Sequence, residues 1–275
     1  MKKVLYRFIV LLFLVFSFYY TNKIIDFLKE KDPIMKSIRK TSNKYKIDSI
    51  DALIVGNNII PGKVGKEIDY KKSFSKMKQY GTYNEALTVF KEVKPVVSID
   101  NNYDKYIISG NKDKRSISLV FKVYKDTDIN RLLKILDEYK VSANFFVDGA
   151  FLEHNILLLK SMKNHELNIL SYNNSYDRSL FETSISYLEN IIEKDVNYCL
   201  GEDSLKLCSK LKLHTIKPSI NIKNNLYREV KNHIDNSMII NIDINSYNLK
   251  ELTSTIDYIK GKGYKIVLLS DLLKE

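Results

Sequence analysis

The spacing of apolar residues from Ser116 onward predicts strands and helices in alternation. Short apolar runs, typical of buried strands, are followed by segments with apolar residues three or four apart, which is typical of helices. The predicted strands are 116–123, 144–147, 167–172, 197–200, 214–216, 238–242 and 265–269, and the predicted helices are 128–140, 151–162, 179–193, 202–212 and 249–260. Repeated strand–helix units imply a parallel sheet covered by helices, with functional sites at the carboxyl ends of the strands.

Residues 45–112 have a different texture, with short extended runs separated by turn signals. The pattern predicts strands at 51–55, 87–90 and 96–99, and a short helix at 73–80 that ends at Gly81. This segment is interpreted as a small α+β subdomain. It contains no recognisable catalytic constellation.

The N-terminus combines positive charge with an apolar run. Lys2 and Lys3 precede a stretch from Phe8 to Tyr20 that is apolar except for Ser17. A signal-peptidase site needs small residues downstream, and the first alanine of the chain is Ala52, so we expect an uncleaved membrane anchor. A cleaved signal peptide is the alternative. Both place the bulk of the chain outside the cytoplasm, and an anchor leaves the N-terminus inside.

Four segments follow from these patterns. The predicted organisation is a membrane anchor at 1–22, a Lys-rich juxtamembrane stalk at 23–44, the small subdomain at 45–112 and the strand–helix region at 113–275.

Composition and charge narrow the class of protein. Nine Gly, four Pro and two Cys exclude collagen-like chains, disulfide scaffolds and four-cysteine zinc sites. A formal net charge of +11 favours anionic neighbours such as nucleic acid, anionic lipid or an acidic wall polymer. The expected location and the lack of a basic motif argue against nucleic acid. Surface lysines that serve only solubility are the alternative explanation of the charge.

Three framework segments of the C-terminal region occur in a known order: 143–147 (ANFFV), 164–167 (NHEL) and 263–273 (GYKIVLLSDLL). With this order and spacing, residues 115–275 resemble the polysaccharide deacetylase, or NodB-homology, family (carbohydrate esterase family 4). The resemblance implies a NodB-like distorted (β/α)7 barrel, here preceded by the small subdomain and the N-terminal helix.

The chemistry of active members is missing from the matching positions. In active members one Asp is the base, while a second Asp and two His bind a divalent metal. The matching residues here are Lys122, Val123, Leu170 and Asn174. The family's Arg-Pro and Leu-His motifs are replaced by 199–202 and 241–243. Val and Leu have no lone pair for a metal, so the resemblance predicts a degenerate deacetylase without metal, cofactor or catalytic residues.

Polar residues near the predicted strand ends form a candidate glycan-binding set. It consists of Lys122, Asp148, Tyr172, Asn173, Asn174, Asp177, Lys217 and Asp243. The alternative is that they are ordinary loop residues and turn caps. His165 matches a framework position and is expected to be structural.

Cys199 lies at the end of the predicted strand 197–200, and Cys208 lies about two turns into the next predicted helix. Outside the cytoplasm a disulfide between them is allowed, and two buried free thiols are the alternative.

Three functional hypotheses remain. The first is a membrane-anchored, inactive deacetylase-like protein that binds cell-wall polysaccharide, an anionic wall polymer or a protein partner. The second is an active carbohydrate deacetylase or hydrolase with an unorthodox site using Asp148, Asp177 or Asp243. The third is a structural scaffold that acts through residues 45–112.

Overall fold

The chain forms two compact units in the computed structural model, which describes residues 2–275 except the side chains of residues 2–6 and 8. Met1, the first residue of the predicted anchor, lies outside the described residues. The smaller unit comprises residues 1–49 and 64–93, and the larger unit comprises residues 50–63 and 94–275. The predicted subdomain 45–112 is therefore divided between the two units.

The elements are as follows. The helices are α1 (Lys2–Lys31), α2 (Pro33–Tyr45), α3 (Tyr70–Tyr80), α4 (Asn130–Glu138), α5 (Gly149–Leu152), α6 (Ile156–Ser161), α7 (Arg178–Ile192), α8 (Leu205–Lys210), α9 (Leu226–His233), α10 (Ser246–Gly261) and α11 (Leu269–Leu272). The strands are β1 (Leu53–Val55), β2 (Asn58–Ile60), β3 (Gly65–Ile68), β4 (Phe90–Val93), β5 (Tyr106–Ile107), β6 (Ser116–Val123), β7 (Asn144–Val147), β8 (Glu166–Ile169), β9 (Tyr198–Leu200), β10 (His214–Ile216), β11 (Ile220–Ile222), β12 (Ile239–Ile242) and β13 (Lys265–Ile266).

The larger unit is built on one curled sheet with the order β1-β2-β5-β10-β9-β8-β7-β6-β12-β11, and β13 also pairs with β6. All pairs are parallel except β1 with β2. This half-barrel of strand–helix units confirms the predicted NodB-like α/β fold. The pairing of β2 with β5, and of β5 with β10, explains why parts of the predicted subdomain belong to the larger unit.

Both faces of the central strands are buried, so these strands read as almost continuous apolar runs. On one face, Phe121 and Phe145 pack with the apolar sides of the covering helices, including Leu252 of α10. On the opposite face, Val120 and Phe146 belong to a separate core. The parallel strands end together at one edge of the sheet, where the groove described below lies.

The smaller unit contains α1, α2, α3 and the antiparallel pair β3–β4. Asp32 caps α2 by accepting a hydrogen bond from the Ile34 amide, and Pro33 occupies the first turn. Ile34, Met35 and Ile38 of α2 are buried. The predicted stalk is therefore not a solvated spacer throughout, because its second half packs into a core.

Helix α1 is long and apolar enough to cross a membrane over Ile9–Lys31, with a mean hydropathy of 1.5 and none of its apolar window buried. Length and composition alone support this, and a signal sequence would have the same properties.

Two local predictions differ from the structure. Residues 96–99, predicted as a strand, contain no strand, and a short 3-10 turn follows at Ile99–Asn101. The strand predicted at 87–90 is displaced to β4, because Asn84 caps a 3-10 turn at Glu85–Leu87 with its side chain. Short polar capping interactions override the local apolar pattern at both places.

Candidate functional site

A groove of about 720 Å³ lies at the carboxyl ends of the strands of the larger unit. Its lining residues come from the ends of β6, β9, β10, β11 and β12 and from the loops after them: Lys122, Tyr124, Thr127, Leu200, Gly201, Glu202, Lys217, Pro218, Asn221, Lys223, Asn241, Asp243, Ile244 and Asn245. The strand topology therefore brings together three of the predicted residues, Lys122, Lys217 and Asp243.

One wall of the groove is held by an ion pair. The Lys217 ammonium lies 2.6 Å from the Glu202 carboxylate, and this hydrogen bond raises the pKa of Lys217. The Tyr106 hydroxyl donates to the Glu202 carbonyl oxygen at 2.9 Å. The chain turns from β9 into this wall at Gly201, whose φ is 102°. Residues with a side chain rarely adopt this backbone conformation, so glycine is favoured here. Both charges are partly exposed, so the pair orients the wall more than it stabilises the fold.

Polar groups from β11 and β12 continue the lining. The Asn241 amide nitrogen donates to the Asn221 side-chain oxygen at 3.0 Å. The Asn241 side-chain oxygen is buried and has no hydrogen-bond partner among the described residues. An orphaned buried acceptor costs free energy, and this one is enclosed by protein atoms rather than open to the groove.

Lys122 and Tyr124 lie on the side of the groove formed by β6. Among the residues whose side chains the structure describes, none forms an ion pair with Lys122. Burial raises the pKa of the Tyr124 phenol, and the negative charges of Asp243 and Asp148 raise it further. The phenol therefore stays protonated at neutral pH and can donate a hydrogen bond.

Asp148 does not line the groove, and its carboxylate is already occupied by protein donors. One oxygen accepts from the amides of Ala150 at 3.0 Å and Asn173 at 2.9 Å. The other accepts from the Ser171 hydroxyl at 2.5 Å and the Asn174 amide at 3.3 Å. The residue is buried, so it holds together the loops after β7 and β8 and has no free oxygen for a sugar.

Four further predicted residues, Tyr172, Asn173, Asn174 and Asp177, also lie outside the groove lining. The Tyr172 hydroxyl donates to Glu153 at 3.0 Å, and the Asp177 carboxylate caps α7 by accepting from the Leu180 amide at 3.0 Å. Asn174, with φ of 60°, follows Asn173 in the turn between Tyr172 and Ser175. Their turn and cap roles match the alternative explanation offered by the sequence.

The groove also contains residues that sequence analysis did not propose as ligand contacts, namely Tyr124, Lys223, Asn221 and Asn241. Asn221 and Asn241 are paired in register on neighbouring strands. A polar residue at the centre of two otherwise apolar strands was the available signal, but the short run 220–222 was not identified as a strand.

The residues at the family's metal positions do not fit a metal ion. Val123 is completely buried in the core beneath the covering helices, and Leu170 is 4% exposed in the core of the opposite face. Neither side chain has a donor atom. Among the residues that the structure describes, no three His, Cys, Asp or Glu side chains are grouped so that they could hold a metal ion.

Cys199, at the centre of β9, and Cys208, in α8, form a disulfide with their Cα atoms 6.4 Å apart. Both residues are buried. Of the two states that the sequence left open, the structure therefore has the bridged one. The bridge encloses the segment 200–207, which includes the groove wall around Glu202.

Comparison with known proteins supports the same fold. No protein-family model matches this sequence. The chain is 24% identical over 274 residues to the uncharacterized protein YlxY of Bacillus subtilis (strain 168), and the match covers 89% of this chain and 85% of YlxY.

Three solved structures, of two proteins, show how far the fold is shared. BA3943 of Bacillus anthracis, described as a pseudoenzyme of carbohydrate esterase family 4, has a TM-score of 0.65 and 22% identity over 89% of this chain and 96% of its own. A BA3943 mutant described as having restored enzymatic activity has a TM-score of 0.66. The peptidoglycan deacetylase PdaC of Bacillus subtilis, solved as a mutant, has a TM-score of 0.51 and 19% identity over 59% of this chain and 91% of its own.

The likeness to BA3943 covers more of the chain than the larger unit alone contains. The likeness to PdaC covers a shorter part. Together these comparisons confirm the resemblance seen in the sequence: the chain has the fold of the family 4 polysaccharide deacetylases, a fold that includes both active deacetylases and a pseudoenzyme.

Proposed function

We propose that this chain is a membrane-anchored, extracytoplasmic protein that binds cell-wall glycan and does not hydrolyse it by the metal-dependent route of the deacetylases. The observation that carries the proposal is the groove at the strand ends. It lies where the resemblance places the deacetylase site, and it presents the ammonium group of Lys122 at the position of the catalytic base.

The loss of the family's chemistry involves more than one substitution. Val123 and Leu170 replace two metal ligands and are packed in two different apolar cores. Lys122 adds a positive charge that would repel a divalent cation. A metal site would therefore require apolar packing to be replaced as well as ligands to be added.

The groove has the size and the polar groups expected for a carbohydrate. Its volume of about 720 Å³ lies within the usual range of ligand sites. Lys122, Tyr124 and Asn221 can donate hydrogen bonds, while Asp243 and Glu202 can accept them. Sugar hydroxyls both donate and accept, so they complement such a mixed lining.

The proposed location rests on α1. The apolar segment follows Lys2 and Lys3 at the N-terminus, which is the arrangement of secretory signals and signal anchors. PdaC, a protein of the same fold, is described as a peptidoglycan deacetylase, which is consistent with a role at the cell wall. A cleaved signal sequence would give the same compartment but would release the chain from the membrane.

The test is co-sedimentation of the full chain, in detergent, with purified peptidoglycan sacculi over a salt series. We expect saturable binding that survives moderate salt. Lys122→Gln and Asn221→Ala each remove a groove donor, and each should raise Kd about tenfold, the effect of losing one hydrogen bond to a desolvated ligand. Lys160→Gln removes an exposed lysine outside the groove lining and should leave Kd unchanged.

The outcomes separate the hypotheses. Equal losses in Lys122→Gln and Lys160→Gln, with no loss in Asn221→Ala, would mean nonspecific charge attraction and would refute the groove as the binding site. Deacetylation of an acetylated glycan that Asp243→Asn abolishes would favour the enzyme hypothesis, for which Asp243 is the only predicted carboxylate in the groove. Absence of sacculus binding, together with capture by a protein partner, would favour the scaffold hypothesis.

A further inference from the structure

The positive charge of the chain is concentrated in the smaller unit. Its residues, 1–49 and 64–93, contain 17 Lys and Arg against 8 Asp and Glu, a net charge of +9. The larger unit contains 27 against 25, a net of +2, although it has more than twice as many residues. A general requirement for solubility would place the charge on both units, so the smaller unit needs a separate explanation.

Two helices of the smaller unit have polar faces that contain cations and no acidic residue. Helix α2 carries four Lys or Arg and buries Ile34, Met35 and Ile38 on its other side. Helix α3 also carries four and buries Ser73, Phe74 and Met77. All eight cations are exposed: Lys36, Arg39, Lys40, Lys44, Lys71, Lys72, Lys76 and Lys78. Because the apolar faces of both helices are buried in the protein core, only their lysine-rich faces can meet an anionic surface such as lipid headgroups.

Half of these cations have acidic partners on other elements. The pairs are Arg39–Glu30, Lys44–Glu85, Lys72–Asp69 and Lys78–Asp32. The other four, Lys36, Lys40, Lys71 and Lys76, form no ion pair with any residue whose side chain the structure describes. These four ammonium groups are therefore available to an external anion.

The same unit contains the apolar helix. Helix α2 begins at Pro33, two residues after α1 ends, and the Arg39 guanidinium donates two hydrogen bonds to the Glu30 carboxylate of α1, at 2.6 and 2.5 Å. At about 1.5 Å per residue, Lys36 lies about 8 Å along the helices from the end of α1. This distance is comparable to the Debye length of about 8 Å at physiological ionic strength.

We propose that the exposed lysines of α2 and α3 bind the anionic phospholipid headgroups of the leaflet at which α1 ends. The proposal rests on the membrane anchoring proposed above. A lipid surface is favoured over a wall polymer because the cations lie on exposed helix faces of the unit that contains the apolar segment, and α2 follows that segment directly. The anchor would hold them at high effective concentration next to the headgroups.

The experiment is lysine footprinting of the full chain in lipid nanodiscs. One preparation contains only phosphatidylcholine, and the other contains phosphatidylglycerol as a third of its lipid. Acetylation rates are measured by mass spectrometry at Lys36, Lys40, Lys71 and Lys76. The internal control is a set of exposed lysines of the larger unit without ion pairs: Lys160, Lys206, Lys231 and Lys250. Neither set requires a substitution, so misfolding cannot imitate the result.

We expect the four lysines of the smaller unit to react about fivefold more slowly in the anionic discs, the effect expected for a lysine near an anionic surface. The control lysines should not change, and high salt should remove the difference. Equal rates in both discs would refute the proposal. Protection by soluble polyglycerol phosphate, but not by the anionic lipid, would also refute it and would point to a wall polymer.

The result is independent of glycan binding. Failure to bind sacculi, with the lysines still protected in anionic discs, would overturn only the glycan part of the proposed function. A chain that enters neither kind of disc would overturn the anchoring and the headgroup proposal together.

Discussion

Replacing Asp148 with alanine tests whether this residue is structural, as its contacts indicate, or a ligand contact, as the sequence suggested. The carboxylate accepts four hydrogen bonds, but the four donors differ in their surroundings. Ala150 and Ser171 are buried, whereas Asn173 and Asn174 are exposed and their amides can turn to water. The free energy cost therefore comes mainly from the two buried donors.

Leaving one buried donor unsatisfied costs about 1–3 kcal/mol, so Asp148→Ala, which leaves two, should lower the free energy of unfolding by about 2–6 kcal/mol. Asp148→Asn should cost less, about 1–2 kcal/mol, because its side-chain oxygen can still accept from the Ala150 amide and the Ser171 hydroxyl can rotate to accept from the new amide. Asp177→Ala is the matched control, an exposed helix cap whose loss costs about 1 kcal/mol.

The assay is urea unfolding of the full chain in detergent, followed by circular dichroism and combined with sacculus binding by the same variants. We expect the order Asp148→Ala, then Asp148→Asn, then Asp177→Ala in loss of stability, with binding retained wherever the chain is folded. A stable Asp148→Ala variant that no longer binds sacculi would refute the structural role and return Asp148 to the candidate binding site.

Three more predictions concern the apolar core around Val123, the disulfide and two partly or fully buried histidines. Val123→Asp restores one carboxylate of the family pattern but buries it among apolar groups, so it should lower the free energy of unfolding by at least about 3 kcal/mol. The loss should exceed that of Val123→Ala. An unchanged urea midpoint would contradict this prediction. Reduction of the Cys199–Cys208 bridge with dithiothreitol should lower the free energy of unfolding by about 2–3 kcal/mol, the value for a closed loop of this length. The loss is measured as a lower melting temperature. An unchanged melting temperature would show that the bridge is not formed in solution. Burial lowers the pKa of His165 and of His214 in the folded chain, so below the ordinary histidine pKa of about 6.5 the unfolded chain binds more protons than the folded chain. The melting temperature should therefore fall as the pH decreases from 7 towards 5. A melting temperature that rises over this interval would contradict the assignment.

The histidine prediction has a simple local control. The His165 Nδ1 atom accepts a hydrogen bond from the Ala143 amide at 3.2 Å, and its ring packs edge-on against Phe145. His165→Asn keeps an acceptor in a similar position without a group that titrates in this range. The decline in melting temperature with acidification should therefore be shallower in this variant. An identical decline would assign the whole effect to other groups.

Much of the fold could be predicted from local pattern. Strands 116–123 and 144–147 were predicted with the bounds that the structure shows, because each is a largely apolar run followed by a segment with helical spacing. The helix before Gly81 was predicted from its C-terminal end, where φ of 93° requires a residue without a side chain. These features depend on neighbours in the sequence, and the sequence therefore contains them.

The membership of the sheet could not be predicted in this way. β1, β2 and β5 precede the strand–helix region, yet β2 pairs with β5 and β5 pairs with β10, which lies more than one hundred residues later. Their strands are only two or three residues long, so no periodic pattern identifies a partner. Long-range pairing depends on which edge the curled sheet leaves available.

The candidate site also has features that the sequence determines and features that only the tertiary structure determines. The sequence by itself determined the absence of the family's ligand atoms, because a valine at 123 and a leucine at 170 lack them in any conformation. It also determined that charge and an apolar helix occur together near the N-terminus. Only the tertiary structure decided which polar residues share the groove: Lys122, Lys217 and Asp243 converge there, whereas Asp148 is enclosed by protein donors. The physical reason is that residue type sets which chemistry is possible, while convergence of side chains and the saturation of their hydrogen bonds depend on contacts between segments distant in sequence.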